Sequence, residues 1–71
     1  MPNAIKIDKL TRALQKIGFR EIRQKGSHKF FQHPDGRTTV IPYHPEIHIR
    51  LLTKIIKHDL KMKKNEFMKY V

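Results

Sequence analysis

Arg23-Gln24-Lys25-Gly26-Ser27-His28-Lys29-Phe30 concentrates the side chains best suited to chemistry. A histidine titrates near neutrality, so it can take a proton or give one. Lys25, Lys29 and Arg23 stand close to His28 in sequence. Their charge suits a phosphate, either to steady a developing phosphorane or simply to hold the backbone. That combination fits cleavage of RNA. RNA carries its own nucleophile, the 2′-hydroxyl, so such a reaction needs neither a metal nor an activated water. It needs a base for the 2′-hydroxyl, an acid for the departing 5′-oxygen, and positive charge around the phosphorus. Taken alone, His28 reads as an ordinary surface histidine beside a turn. The ordered residues around it are what turn the reading towards catalysis. The second acid or base has no assignment.

The other four histidines carry weaker expectations. His33 flanks a turn and is expected to shape it. His44 sits between Pro42 and Pro45 in a loop and is a secondary site candidate. His44 and His48, with Glu46 between them, have metal-ligand spacing only on a helix, which Pro45 opposes. A structural zinc also wants four ligands, so no metal or other cofactor is expected. His58 is expected to face solvent.

The segments that must position these residues follow from periodicity. Ile7, Leu10, Leu14 and Ile17 predict an amphipathic helix over 7–17, with Asp8 in its first turn and Gly18 as its stop. Residues 19–25 are expected to form a strand anchored by Phe19 and Ile22. Gly26-Ser27 makes a turn, and 28–33 a second strand. Pro34-Asp35-Gly36 is a strong hairpin signal, and β-branched residues 37–42 form a third strand. Of the neighbours Phe30 and Phe31, one can face outward to stack on bases, because strand neighbours point to opposite faces. A second helix is expected over 48–60, with Leu51, Leu52, Ile55, Ile56 and Leu60 on one stripe. A short helix over 64–70 should pack back through Phe67, with Met68 or Tyr70 beside it. The order α-β-β-β-α implies an α+β fold, one antiparallel sheet with helices on one face. At 71 residues the chain is one domain, 1–71.

Composition narrows the partners. Sixteen Lys and Arg against six Asp and Glu leave a formal charge of +10. A compact domain this basic points first to nucleic acid, then to an anionic membrane surface or an acidic protein. The lysines of the tail (Lys54, Lys57, Lys61, Lys63, Lys64, Lys69) read as a solvated helix face that adds to this field. There is no cysteine, so disulfides, thiolate metal sites and cysteine nucleophiles are excluded. Lys6 and Asp8 interrupt Ile5 and Ile7, so no apolar signal core is evident. No stretch approaches a membrane span. The chain is therefore expected to be cytoplasmic.

The Gly26-Ser27-His28 signature leads into His33-Pro34-Asp35-Gly36-Arg37, then Val40-Ile41-Pro42 and His44. With the opening helix through Gly18-Phe19, and with Ile55-Ile56-Lys57 and Glu66-Phe67, this ordered set resembles the HicA family of toxins. The resemblance implies a fold similar to a double-stranded-RNA-binding domain. It also implies an endoribonuclease acting on messenger RNA (an mRNA interferase), held inactive by a HicB-type antitoxin. The family's catalytic histidine falls on His28 and its preceding glycine on Gly26. With Arg23, Lys25, Ser27, Lys29 and His44, Gly26 makes up the expected RNA-binding set. The chain departs from the family at Arg50-Leu51-Leu52-Thr53, where members often have Gly-Thr-Leu-Arg. It departs again at Lys61, where a glycine commonly follows the helix. Both departures bear on helix boundaries and leave the site untouched. A non-catalytic RNA-binding module of the same fold is the alternative.

Overall fold

A computed structural model describes residues 3–71. Met1 and Pro2, the first two residues of the expected domain, lie outside the described residues. The elements run in the order β1 (Ala4–Lys6), α1 (Ile7–Ile17), β2 (Arg20–Lys25), β3 (His28–Gln32), β4 (Thr38–Pro42), β5 (Glu46–His48), α2 (Ile49–Lys54) and α3 (Lys64–Met68). Strands β2, β3 and β4 form a three-stranded antiparallel sheet in sequence order. This is a small α+β fold, consistent with the arrangement of a double-stranded-RNA-binding domain.

The core lies between the helices and one face of that sheet. Leu10, Ala13 and Leu14 of α1 are fully buried, with Phe19, Phe31 and Ile41 from the sheet side. Their spacing along α1 places them on one stripe, which is why the helix forms where its apolar residues recur. Gly18 ends it at φ 121°, its N–H donating to the carbonyls of Leu14 and Gln15. A β-carbon there would also lie 2.7 Å from His33 Nε2, so backbone angle and packing both favour glycine. From the other side, Leu52, Ile55, Ile56, Leu60 and Phe67 complete the core. Truncating a buried Phe such as Phe31 costs about 3–5 kcal/mol, a large share of what a domain this small holds.

Four sequence expectations need correction. First, β1 and β5 form a separate antiparallel ribbon, with Ile5 opposite Ile47; the chain therefore opens on a strand before its first helix. Both isoleucines are buried, and Ile7 N–H donates to the Pro45 carbonyl at 3.0 Å. Second, Ile22 is 52% exposed and does not anchor β2. A bulge between Glu21 and Arg23 shifts the register, which takes Ile22 out of the expected alternation. Third, the long helix is not uniform. α2 continues directly into a π-helical segment, Ile55–Leu60, with wider hydrogen bonding. Ile55 and Leu60, five residues apart, both reach the core there, whereas Leu51 lies off the buried stripe at 38% exposure. Fourth, the last helix is shorter than expected, and Met68 and Tyr70 are exposed while Phe67 alone packs inward.

The π segment ends on Lys61, at φ 55° and ψ 44°. This is the left-handed conformation in which a side chain costs about 1–2 kcal/mol and glycine does not. Lys61 N–H and Met62 N–H both donate to the Ile56 carbonyl, so the cap is fixed by the backbone. Lys61→Gly is expected to stabilise the fold by about 0.5–1 kcal/mol after the entropy of glycine in the unfolded chain is subtracted. The check is a higher urea midpoint at unchanged slope.

Candidate functional site

The sheet has one covered face and one open face, and alternation with pairing assigns its residues, the bulged Ile22 apart. In β3, Phe31 is buried against the helices, so His28, Phe30 and Gln32 point the other way. Residues directly opposite across a ladder share a face. The open face therefore carries three rows: Lys25, His28 and Pro42; Arg23, Phe30 and Val40; Arg20, Gln32 and Thr38. His28 is exposed, as are Lys25, Arg23 and Arg20.

The hairpin turn sets the position of His28. Lys25 pairs with His28 across Gly26 and Ser27, so the loop has two residues. Gly26 has φ 58° and Ser27 does not have a positive φ. This is the pattern of a type II′ turn, whose twist matches the strands and whose first central residue favours glycine. A β-carbon at Gly26 would meet nothing within 4 Å. The glycine serves the turn's backbone and not a close packing contact. Gln24 Nε2 donates to the Gly26 carbonyl at 3.2 Å, across the turn. Tyr43 N–H donates to the Ser27 carbonyl at 2.5 Å, which ties the loop after β4 to the turn.

That loop brings His44 to the same end of the sheet. His44 N–H donates to the Pro42 carbonyl at 2.9 Å, a three-residue turn centred on Tyr43. His44 therefore stands two residues beyond Pro42, the partner of His28, and is exposed. Lys29 is different. It alternates to the opposite face, where its ammonium lies 3.3 Å from Glu21 Oε1 and 4.1 Å from the centre of the Tyr43 ring. Of the expected set, Lys25, Arg23 and His28 share one face, Gly26 and Ser27 form the turn, and Lys29 does not converge with them. Sequence adjacency suggested Lys29; strand geometry instead puts Phe30, the outward member of the Phe30–Phe31 pair, and Pro42 beside His28, and Pro42 is visible only once pairing is known. The Arg23 guanidinium lies 4.4 Å from the Phe30 ring centre.

At the other end of β3 a polar clamp holds the second turn. Asp35 N–H donates to His33 Nδ1 at 3.1 Å, and His33 Nε2 lies 3.2 Å from the Ile17 carbonyl. His33 Nδ1 also lies 3.0 Å from Asp35 Oδ1. His33 therefore shapes its turn, as expected, and joins it to the end of α1. The Arg37 N–H donates to Asp35 Oδ1 and its Nε to Oδ2, while Nη1 donates to the Leu60 carbonyl at 2.6 Å. The Arg37 backbone N–H, then its guanidinium and His33, hold the Asp35 carboxyl below its ordinary value, against an opposing desolvation effect. Thr39, the one buried polar side chain among the described residues, donates to Asp59 Oδ2 at 2.7 Å. These contacts fix the sheet to the helical layer, away from His28.

Among the described residues, no group of three or more His, Asp or Glu could hold a metal ion. His48 Nδ1 instead accepts from Arg50 N–H at 3.1 Å and caps α2. His58 is exposed. No helix among the described residues is long and apolar enough to cross a membrane.

The family model of HicA toxins of bacterial toxin–antitoxin systems matches residues 7–59. The chain belongs to the HicA toxin family. The matched span includes α1, the whole three-stranded sheet and most of the helical segment after it. All candidate site residues of this HicA-family chain lie within it. The family is one of toxins, generally ribonucleases, paired with an antitoxin. No curated protein matches the chain.

Proposed function

We propose that the chain, acting as one domain over residues 1–71, is a metal-independent endoribonuclease that cleaves messenger RNA in the cytoplasm, with His28 as its general acid or base. One observation carries this reading. A two-residue turn holds an exposed histidine on an open, cationic sheet face, beside Lys25, in a chain of a toxin family. In the forward step the 2′-oxygen bonds to phosphorus as its proton leaves, and the bond from phosphorus to the 5′-oxygen breaks as that oxygen takes up a proton. His28 is exposed, which leaves it accessible to the RNA, and it moves one of those two protons. Lys25 and Arg23 share its face and offset the negative charge on the phosphorane. Gly26 and Ser27 hold the turn against the backbone of the RNA, and His44 lines the same end of the sheet. Lys29, paired on the far face, contributes to the overall field.

The partner implied is a HicB-type antitoxin. Its most effective position is over the open face, with an anionic surface against Lys25 and His28, since that position excludes RNA from both. Incubating the purified protein with RNA in EDTA tests the function. Cleavage should continue, and the fragments should carry 2′,3′-cyclic phosphate and 5′-hydroxyl ends. Binding without cleavage would instead favour an RNA-binding module of the same fold.

A further inference from the structure

The open face extends well beyond His28. From His28 to Gln32 is four residues along β3, about 13 Å at the rise of a strand. Midway stands the Phe30 ring with the Arg23 guanidinium over it. Beyond it, at the Pro34 turn, lies an open groove of about 390 Å³ lined by Arg20, Ile22, Gln32, His33, Pro34 and Gly36. Nothing in the reaction at His28 uses this groove.

We propose that the open face is a track for a single-stranded RNA segment, running from His28 over the Arg23–Phe30 pair to a base-binding groove at Arg20, Ile22 and Gln32. The proposal rests on His28 being the point of cleavage and extends that site along the strand.

Three features favour this occupant. The first is charge. Arg20, Arg23 and Lys25 belong to one strand and share the open face. Among the described residues the ion pairs are Lys29–Glu21, His33–Asp35 and Arg37–Asp35, so none of these three cations is neutralised by a carboxylate. A phosphate backbone supplies what they lack. The second is exposed apolar surface between the charges. Ile22 is 52% and Val40 41% exposed, with the half-buried Phe30 between their strands. Cations interleaved with apolar side chains suit a strand whose phosphates and bases alternate. The third is shape. Unpaired bases offer their faces to aromatic rings and guanidinium planes, whereas an A-form duplex offers only base edges, sugars and phosphates. A planar pair such as Arg23 on Phe30 therefore discriminates in favour of single strands. The bulge at Ile22 widens β2 beside the groove and leaves that side chain on its rim.

The test is fluorescence anisotropy of a labelled single-stranded oligoribonucleotide and of the matching duplex, with His28→Ala as the uncleaving parent. Phe30→Ala in that parent should weaken single-strand binding about 5- to 100-fold, the usual loss of a base–aromatic stack. Phe30→Leu keeps the bulk and should also weaken it. Arg20→Gln should weaken it more than Lys69→Gln, which removes the same charge just beyond α3. Duplex binding should change less. Folded Phe30 variants that bind the single strand like the parent would overturn the track. So would a preference for duplex, or variants that lose only affinity for the antitoxin, which would make the face a protein surface. The underlying reading fails separately. If the wild type cleaves and the Phe30 variants bind normally, only the track is lost. If the variants lose binding but the wild type cleaves no RNA, the track stands and the nuclease does not.

Discussion

His28→Ala should reduce RNA cleavage by about 10²–10⁴-fold, the usual cost of a missing general acid or base, while leaving the fold intact. The two halves of that expectation have different physical origins. The rate effect is chemical: without the imidazole, proton transfer at the scissile phosphate falls to water. The structural effect is small because His28 is exposed and lies at the mouth of a turn fixed by other atoms. Gly26 sets the backbone angle, and the Ser27 carbonyl is held by Tyr43. Truncation opens no core cavity, and exposed substitutions of this kind usually stay within about 0.5 kcal/mol. RNA affinity should also survive, since Arg20, Arg23 and Lys25 remain. Single-turnover cleavage, a melting curve and an anisotropy titration on the same preparation check all three. Full activity in the folded variant would remove His28 from the mechanism.

RNA binding should weaken steeply with salt. With four to six phosphates contacted on a single strand, log K falls against log salt with a slope of about −3 to −4. Raising salt fourfold then costs about 10²-fold in affinity. The cations on the open face motivate this number, and the net charge of +10 supplies the long-range field. The measurement is a series of titrations at fixed pH between low and physiological ionic strength. A flat series would remove the electrostatic basis of the account and return the positive surface to an acidic protein partner.

The fold was legible where periodicity and turn chemistry agree. Ile7, Leu10, Leu14, Ile17 and Gly18 define α1 to the residue. Gly26-Ser27 and Pro34-Asp35-Gly36 bound the three strands to within a residue or two. The ribbon of β1 and β5 was not legible. Each strand has three residues, too few for alternation to register, and only the pairing of Ile5 with Ile47 makes them strands. The π segment was also hidden, because Leu52, Ile55, Ile56 and Leu60 satisfy an α-helical stripe just as well. Lys61 marked its end, although it read only as a departure from the family's glycine.

The site divides the same way. His28 and the turn before it could be read directly, since a glycine and a histidine at a hairpin are local features. Which cations accompany His28 could not. Lys29 is its neighbour in sequence but faces the other side, while Lys25 joins it from across the ladder. The bulge at Ile22 adds one more residue of slip and brings Arg23 opposite Phe30. Register, which depends on the whole sheet, decides the company a side chain keeps.

The central claim is that the nucleophile is the 2′-hydroxyl of the RNA itself, with His28 moving a proton in that step. The most direct measurement uses two oligonucleotides that differ in one atom: an RNA with a mapped cleavage position, and the same RNA with a single 2′-deoxy nucleotide on the 5′ side of that bond. The account predicts that the wild-type protein binds both with similar affinity, cleaves the first in EDTA to a 2′,3′-cyclic phosphate, and leaves the substituted bond whole. Scission of the 2′-deoxy bond would contradict it, because the nucleophile would then have to come from outside the substrate.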